Sequence, residues 1–342
     1  LMQTIVLQVP GSFILCEAPE PATPAPGQAL VRVRQVGICG SDLHAYRGGQ
    51  TFFTYPRIVG HELAVEVLAV GDSEEPPTVA VGDRCTVEPY LNCGQCIACR
   101  RGRGNCCVNL QVLGVHVDGG LQEIIAIPLH KLHVAPALSL DQLTLVEPLA
   151  IGAHAVRRAQ VAPGEWTLVI GAGPIGQAVA TFARVAGATV MVMEISDSRL
   201  EFCRQRLGLA HTIDAKGDIL AQVQTLTGGD LPTLVFDATG SPRSMMDAFQ
   251  WVAHSGKLVL VGHNPAEITF SDPLLHAREL TVMGSRNALP ADFAQVIATL
   301  ETGAFDPALW ISERAQPEEL AARFPRWLEP ESGVIKPVVM MS

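Results

Sequence analysis

Hydrophobic and polar positions follow two different patterns along the chain. In the first half, short apolar runs are separated by proline, glycine and aspartate, which predicts a β-rich region with strands at 29–36, 64–70, 84–87 and 121–127. From about Pro163, apolar runs of strand length alternate with helical periodicity, with a helix at about 174–186 and strands at 168–170, 189–193, 233–236, 258–261 and 280–283. This alternation predicts a parallel sheet with helices on both faces. After Arg286 we expect helices around 291–301 and 317–328 and an extended segment at 334–340.

The length and charge of the chain narrow the classes of protein to consider. With 342 residues the chain is too long for one hydrophobic core, so we expect two domains. Hydrophobic residues make up 48% and charged residues 17%, a composition that a disordered chain does not have. The formal net charge is −10, whereas nucleic-acid-binding proteins usually carry a positive charge. We therefore expect no nucleic-acid partner, although a local basic patch is compatible with these numbers.

One apolar stretch is long enough to span a membrane. Residues 166–193 contain a single charged side chain, that of Arg184. Glycine and proline interruptions favour a strand, turn, helix, turn and strand instead; they are Gly171, Gly173, Pro174, Gly176 and Gly187. The first residues show no Lys- or Arg-led signal peptide. We expect a cytoplasmic protein with no membrane partner.

A glycine motif lies directly after the predicted strand at 168–170. It consists of Gly171, Ala172, Gly173, Pro174, Ile175 and Gly176, and a predicted helix begins within it. This spacing allows a tight turn, close approach of a pyrophosphate to the backbone, and anion binding at the helix N-terminus. Glu194 ends the next strand, where its carboxylate can accept hydrogen bonds from both adenosine-ribose hydroxyls and would repel a 2′-phosphate. The motif therefore predicts a dinucleotide site that favours NAD over NADP; a purely structural glycine turn is the alternative.

Cysteines cluster in a short segment. Cys93, Cys96, Cys99 and Cys107 have the spacing of a four-coordinate structural zinc site, with Cys106 competing with Cys107 on spacing alone. The odd total of nine cysteines, without an export signal, also favours metal over disulfides. The neighbouring arginines can offset the charge of four thiolates.

A dispersed set of residues predicts a second metal site. Cys39 and His61 offer sulfur and nitrogen ligands, and Glu62 or Glu147 could supply an oxygen. Each residue alone has an ordinary structural explanation. Their joint presence before a dinucleotide motif is what indicates a catalytic metal.

These motifs resemble those of the zinc-dependent medium-chain alcohol and polyol dehydrogenases, over about residues 26–337. The resemblance implies an α/β fold with a GroES-like β-rich catalytic domain (1–150 and 286–342) that carries a structural zinc lobe at about 88–108. It implies a doubly wound Rossmann domain for NAD at 151–285. It also implies two zinc ions per chain, a small-molecule substrate, and a homodimer or homotetramer.

The resemblance also assigns roles to individual residues. Cys39 and His61 are implied as ligands of the catalytic zinc, with Glu62 or Glu147 as the third. Asp42 would orient His61, and Ser41 and His44 would form a proton relay. The structural zinc would use Cys93, Cys96, Cys99 and Cys107. The cofactor contacts would be Gly171, Gly173, Pro174, Ile175, Gly176, Glu194, Arg199 beside the adenosine, Gly262, and Ser285 on the nicotinamide side, while Arg286 would touch the substrate.

Four segments, 114–120, 154–158, 163–165 and 283–288, are most similar to sugar-acid dehydrogenases of the L-galactonate 5-dehydrogenase type. An arginine such as Arg286 would suit a carboxylate-bearing substrate. The expected reaction is oxidation of a secondary hydroxyl to a ketone by hydride transfer to NAD. Three positions depart from the family pattern: Val65 implies altered local packing, Leu121 a less aromatic substrate wall, and Ala45 weakens a sorbitol assignment. Sorbitol-type polyols and L-threonine are the alternative substrates. A cofactor-binding regulatory protein is the alternative outside enzymes.

Overall fold

The computed structural model describes residues 1–50, 53–73 and 76–341. The chain divides into two compact units, Leu1–Glu147 with Leu289–Ser342, and Pro148–Ala288. The predicted domain boundaries, at 150 and 286, lie within three residues of these divisions. Within the described residues, no helix combines the length and the apolar character that a membrane span requires.

The strands are β1 (Met2–Val9), β2 (Ser12–Ala18), β3 (Gln28–Gly37), β4 (Glu62–Val70), β5 (Arg84–Val87), β6 (Tyr90–Leu91), β7 (Gln111–Val112), β8 (Ile124–Pro128), β9 (Leu132–Val134), β10 (Trp166–Ile170), β11 (Thr189–Glu194), β12 (His211–Asp214), β13 (Leu234–Asp237), β14 (Lys257–Leu260), β15 (Thr281–Gly284), β16 (Ile311–Ala315) and β17 (Lys336–Met340). The α-helices are α1 (Gly40–Tyr46), α2 (Ile97–Arg100), α3 (Leu140–Ala159), α4 (Pro174–Val185), α5 (Asp197–Gln205), α6 (Ile219–Thr227), α7 (Pro242–Asp247), α8 (Asp272–Ala277), α9 (Pro290–Glu301) and α10 (Leu320–Trp327).

The first unit is built on a mixed sheet with the order β16-β17-β3-β4-β5-β9, and β8 also pairs with β3. Alternating apolar residues of β3 and β4 are fully buried and form much of the core, among them Val31, Val33, Leu63 and Val65. The register places Gly37 opposite Glu62 in one ladder and opposite Val338 in the other. Residues from three distant parts of the sequence therefore meet at one end of β3.

The second unit is a parallel sheet with the order β12-β11-β10-β13-β14-β15. β10 is the first strand of this sheet in the sequence. The next strands, β11 and β12, lie on one side of it, and β13 to β15 lie on the other, so the direction of winding reverses between β10 and β13. Ligands of doubly wound sheets bind beyond the carboxyl ends of the strands at such a point. This architecture is the doubly wound, Rossmann-like fold that the alternating pattern predicted.

Some predicted elements differ in extent from those observed. The strand predicted at 121–127 begins at Ile124, because the N–H of Leu121 donates to the carbonyl of Val59 instead of joining the ladder of β3. The helix predicted at 317–328 is a short 3-10 turn, Pro317–Glu319, followed by α10. The extended segment at 334–340 is β17, which begins two residues later than predicted.

Candidate active site and metal centres

Cys39 lies where β3 gives way to α1. It occupies the N-cap position of α1, and its N–H donates to Oδ2 of Asp42 at 2.9 Å. Asp42 is thereby fixed in the first turn, where it is 1% exposed. Ser41 and His44 lie one helical turn apart on α1, with Ser41 Oγ buried and His44 exposed. Within the described residues Ser41 Oγ has no hydrogen-bond partner.

His61 follows Gly60, whose backbone packs closely against the backbone of Gly114 and Gly119. Gly60 has a φ of +101°, and the loop before β8 passes directly over it. A Cβ at Gly114 would lie 2.6 Å from the Gly60 nitrogen, and a Cβ at Gly119 would overlap the Gly60 carbonyl. The Gly-rich segment 114–120, which the sequence associates with sugar-acid dehydrogenases, therefore has a structural requirement for glycine beside His61, a predicted metal ligand.

Cys39, His61 and Glu62 form a potential metal-binding group. Their sulfur, nitrogen and oxygen donor atoms all lie within 4.8 Å of one another. Nδ1 of His61 lies 3.9 Å from Oδ1 of Asp42, so this carboxylate faces the imidazole. Burial acts to lower the pKa of His61, but Asp42 and Cys39 outweigh it and raise that pKa well above its usual range.

Glu62 is held by a buried lysine. Lys336 Nζ donates to both carboxylate oxygens of Glu62, at 2.6 and 2.8 Å, and to the carbonyl of Ile38 at 3.2 Å. A Cβ at Gly37 would overlap Oε2 of Glu62, so glycine is required opposite this side chain. Burial acts to lower the pKa of Lys336, but Glu62 outweighs it and the pKa is raised. Lys336 is therefore charged and balances one carboxylate of the site.

Glu147, the other predicted oxygen ligand, is not in the three-residue group. It is 2% exposed, and its Oε1 accepts a hydrogen bond from the hydroxyl of Tyr90 at 2.5 Å. Its Oε2 is buried and has no hydrogen-bond partner in the part of the chain that the structure describes. Burial raises the pKa of Glu147 to about 7, although His61 opposes the shift.

These residues fit a zinc ion. A thiolate, an imidazole and a carboxylate are ligands that zinc accepts, and catalytic sites of this kind keep one position open. Unsatisfied buried polar atoms are rare in folded proteins, and among the described residues Ser41 Oγ, His61 Nδ1 and Glu147 Oε2 are all of this kind. A cation at this place would give Oε2 of Glu147 the partner that it lacks among the described residues.

The cysteine lobe brings together four predicted ligands. The Sγ atoms of Cys93, Cys96, Cys99 and Cys107 all lie within 4.8 Å of one another, while Cys106 is exposed and outside this group. The N–H groups of Cys99 and Val108 lower the pKa of the Cys96 thiol to about 6, which favours the thiolate that a metal requires. This set fits a closed tetrahedral zinc site.

The glycine motif of the second unit forms the turn between β10 and α4. Gly171 has a φ of +96°, and a Cβ at Gly176 would overlap the Gly171 carbonyl, so both positions require glycine. Gly173 is the N-cap of α4, while Pro174 and Ile175 begin its first turn. The free N–H groups of this turn can receive a phosphate.

Glu194 ends β11 beside the glycine turn. Its Oε2 accepts from the N–H of Ala172 at 2.8 Å, and its Oε1 accepts from the N–H groups of Ile195 and Ser196 at 2.8 and 3.1 Å. Arg199 lies 3.7 Å from Oε2. The carboxylate is 8% exposed and is fixed against the turn where the adenosine end of a dinucleotide would bind.

The remaining predicted cofactor residues also belong to the second unit. A Cβ at Gly262 would overlap the backbone nitrogen of Gly240, so the loops after β13 and β14 touch at this point. Ser285 follows β15 and is 8% exposed, and its buried Oγ has no partner within the described ranges. Arg286 is exposed.

Comparison with known proteins identifies the family. Residues 25–137 match the alcohol dehydrogenase GroES-like domain, and residues 174–302 match the zinc-binding dehydrogenase domain. The chain is 39% identical to L-galactonate-5-dehydrogenase of Escherichia coli (strain K12), over 99% of this chain and 98% of that protein. The chain belongs to the zinc-binding alcohol dehydrogenases.

Other relatives agree with this family. The dehydrogenase is 32% identical to 2-dehydro-3-deoxy-L-galactonate 5-dehydrogenase of Pseudoalteromonas atlantica, over 88% of both chains. The crystal structure of a short chain alcohol dehydrogenase from Escherichia coli CFT073, complexed with NADH, superposes with a TM-score of 0.91. It shares 29% identity and covers 99% of both chains. The dehydrogenase is thus an oxidoreductase of a hydroxyl group.

Sequence reasoning missed two residues of the dehydrogenase site. Lys336 is the one charged residue within the predicted extended segment at 334–340, and a lone charge in a buried strand requires a partner. That signal could have indicated a buried acid, but not which one. Tyr90 gives no spacing signal, because its contact with Glu147 exists only in the folded chain.

Proposed function

We propose that this dehydrogenase oxidises a secondary hydroxyl of an L-galactonate-like sugar acid to a ketone, with NAD as the hydride acceptor. The observation that carries the proposal is the group of Cys39, His61 and Glu62 beside Oε2 of Glu147, which has no hydrogen-bond partner among the described residues. Similarity to L-galactonate-5-dehydrogenase along almost the whole chain supports the substrate class.

Cys39, His61 and Glu62 would hold a catalytic zinc, and Cys93, Cys96, Cys99 and Cys107 a structural one. When bound, the catalytic zinc supplies Lewis acidity toward the substrate hydroxyl, and NAD accepts the hydride. Glu62 is preferred over Glu147 as the third protein ligand because its oxygen lies in the donor group. Each oxygen of Glu62 retains a lone pair after accepting from Lys336. Oε2 of Glu147 would then face the coordination position of the zinc that the three protein ligands leave open.

The chain's own residues would move the hydroxyl proton. Ser41 Oγ is buried without a partner in the described residues, so it can accept the proton that the substrate hydroxyl loses as it releases its own proton toward His44. His44 lies three residues further along α1 and is exposed, so it can pass a proton to solvent. Histidine suits this transfer because its ordinary pKa of about 6.5 lies near neutral pH. We assign Ser41 and His44 to this relay.

The substrate carboxylate requires a cationic partner. Arg286 is exposed and offers a planar, permanently charged guanidinium that can bind a carboxylate with two hydrogen bonds. Neutral polyols such as sorbitol lack that carboxylate. A preference for sugar acids over polyols would thus depend on Arg286.

Glu194 supports NAD over NADP as the cofactor. Its carboxylate is fixed by three backbone N–H groups and still has capacity to accept from ribose hydroxyls. A 2′-phosphate at the same place would bring two negative groups together. We assign Arg199, Gly262 and Ser285 to the remaining cofactor contacts.

The sheet of the second unit supports a homodimer or homotetramer. β15 is its last strand in the described chain, and Val282 on it is 39% exposed. An exposed edge strand can pair with a second copy. Light scattering on the purified protein would give the mass, and a monomer would overturn this assignment.

The cytoplasmic location stays a prediction of the sequence.

The substrate class is tested by following NADH formation against L-galactonate, sorbitol, L-threonine and simple secondary alcohols. We expect turnover of the sugar acid, and a loss of at least tenfold in kcat/KM for that substrate in Arg286→Met. The control is Arg243→Met, a 90% exposed arginine on the same unit, which should leave kcat/KM unchanged. Turnover of neutral polyols alone would contradict the sugar-acid assignment. Binding of zinc and NADH without any turnover would favour a regulatory protein.

The ligand assignment is tested by zinc content. Cys39→Ala and Glu62→Gln should each lose one of two zinc ions per chain, while Glu147→Gln should keep both and lose turnover. Loss of zinc from Glu147→Gln and its retention in Glu62→Gln would reverse the assignment of the two acids.

A further inference from the structure

The two oxygens of Glu147 have different environments. Oε1 accepts from the Tyr90 hydroxyl at 2.5 Å, whereas Oε2 is buried and unpartnered in the described part of the chain. Both residues are 2% exposed, so water does not exchange freely with this hydrogen bond. A carboxylate otherwise has two equivalent oxygens that interchange by rotation of its last torsion. The Tyr90 contact removes that equivalence.

The ring of Tyr90 is fixed by aromatic packing. It meets the ring of Phe293 edge-on, with centroids 6.3 Å apart and planes at 70°. Phe293 is fully buried, and its other neighbour is the imidazole of His133, stacked at 4.9 Å with planes at 10°. The Tyr90 ring is therefore packed against Phe293 of α9, which His133 of β9 in turn holds by stacking.

The backbone that carries Tyr90 is anchored on both sides. Two residues earlier, Glu88 is buried and pairs with Lys131 Nζ at 2.5 Å and with His133 Nε2 at 3.3 Å. Two residues later, Asn92 accepts from Lys131 Nζ at 2.9 Å. Glu88 and Asn92, on either side of Tyr90 in the sequence, are therefore both tied to Lys131.

We propose that Tyr90 is a positioning residue for Glu147. Its hydroxyl occupies Oε1, so that Oε2 is the oxygen that Glu147 presents to the metal site. The inference rests on the proposed function, because it assumes that Glu147 acts at that site. A carboxylate held in one orientation loses no rotational freedom when it meets the metal or substrate. No other group within hydrogen-bonding distance of Oε1 performs this role in the described residues.

Tyr90→Phe removes the hydroxyl and keeps the ring that packs on Phe293. In the cobalt-substituted enzyme, we expect a changed visible absorption spectrum of the site that contains Cys39. We expect at least a tenfold weaker affinity of that site for cobalt or a tenfold lower kcat, the usual range for the loss of such a partner. The Kd for NADH should not change, because the cofactor residues belong to the other unit.

Tyr46→Phe is the matched control. Tyr46 belongs to the same unit and packs on Phe13 and Phe324, so this variant also removes one hydroxyl from a packed ring. It should retain the cobalt spectrum, the metal affinity and the kcat of the parent enzyme. A Tyr90→Phe enzyme that matches the parent in all three measurements would overturn the proposal.

A double-mutant cycle separates positioning from general stability. If Tyr90 acts through Glu147, Tyr90→Phe should have no further effect on kcat or the cobalt spectrum in a Glu147→Gln background. Additive losses would show that Tyr90 acts elsewhere and would overturn the proposal. If Glu147→Gln alone keeps the parent kcat, the proposed function of Glu147 fails. If Glu147→Gln is inactive while Tyr90→Phe is normal, only the positioning role fails.

Discussion

Lys336 holds both carboxylate oxygens of Glu62, at 2.6 and 2.8 Å, although the two residues lie 274 positions apart in the sequence. The pair closes the first unit, because β17 returns from the C-terminal end of the chain to lie beside β3. It also places a positive charge next to a carboxylate that we assign to the catalytic zinc. Lys336 and a zinc ion bound there would therefore act on the same side chain.

Lys336→Met tests this shared carboxylate. In the metal-free protein the variant leaves Glu62 buried and unpaired, which costs about 3–5 kcal/mol of stability. In the zinc-loaded protein the loss should be smaller, because the zinc neutralises Glu62. Denaturant unfolding with and without zinc measures the difference. Lys216→Met is the control, since Lys216 forms an exposed pair with Asp197 and its loss should change stability little in either form. Equal losses in both forms would argue against Glu62 as a ligand.

A second buried ion pair joins Glu88 to Lys131, with side chains 3% and 4% exposed. Lys131→Met leaves Glu88 without its main partner, and we expect a loss of about 3 kcal/mol in the free energy of unfolding. The double variant Lys131→Met with Glu88→Leu should recover most of that loss, because no buried charge then remains unpaired. Unfolding of the single and double variants gives the coupling energy. Additive destabilisation would contradict the pairing.

Glu194→Gln tests the cofactor preference. The variant keeps a side-chain oxygen for the neighbouring N–H groups but removes the charge that opposes a 2′-phosphate. We expect the ratio of kcat/KM for NAD to that for NADP to fall by about tenfold. Asp197→Asn is the control, because it removes an exposed charge three residues away. An unchanged ratio in Glu194→Gln would refute a role for Glu194 at the ribose.

Zinc uptake should depend on pH near neutrality. Burial raises the pKa of Glu147 to about 7 in the metal-free site, and a cation beside it favours the ionised form. The apparent zinc affinity should therefore fall as the pH drops below about 7, and binding should release a proton. Titration at pH 8 and pH 6 measures this, and Glu147→Gln should show a weaker dependence. The same slope in both proteins would show that other groups account for it.

The sign of the effect on stability follows from the same pKa. The folded-state pKa of about 7 lies above the ordinary 4.5 of a glutamate. Glu147 therefore contributes to metal-free stability fully below about 4.5, and this contribution is lost as the pH rises through about 7. The stability of the zinc-loaded protein should not fall in this way as the pH rises through about 7.

Local patterns in the sequence predicted most of the fold of the second unit. Its strands are short apolar runs bounded by turn residues, and α4 begins within the glycine motif as predicted. Parallel strands buried on both faces leave this continuous apolar signal. The start of β8 in the first unit was predicted three residues too early, because Leu121 is apolar like a strand residue but its N–H donates to the carbonyl of Val59.

The sequence predicted which residues could bind metal but not how they are supported. Cys39, His61 and the four lobe cysteines have motifs of recognisable spacing. The contacts of Lys336 with Glu62 and of Tyr90 with Glu147 join residues 274 and 57 positions apart. No local pattern encodes such pairs, because they depend on the register of β3, β4 and β17 and on the packing of Phe293. The choice between Glu62 and Glu147 likewise needed the positions of their oxygens.

Zinc-dependent formation of NADH from L-galactonate is the measurement that tests the central claim most directly. The enzyme should lose turnover when a chelator removes its zinc and recover it when zinc returns. Cys39→Ala should be inactive in the same assay while it still binds NADH. Undiminished turnover after complete removal of zinc, or an active Cys39→Ala enzyme, would contradict a metal site built on Cys39, His61 and Glu62.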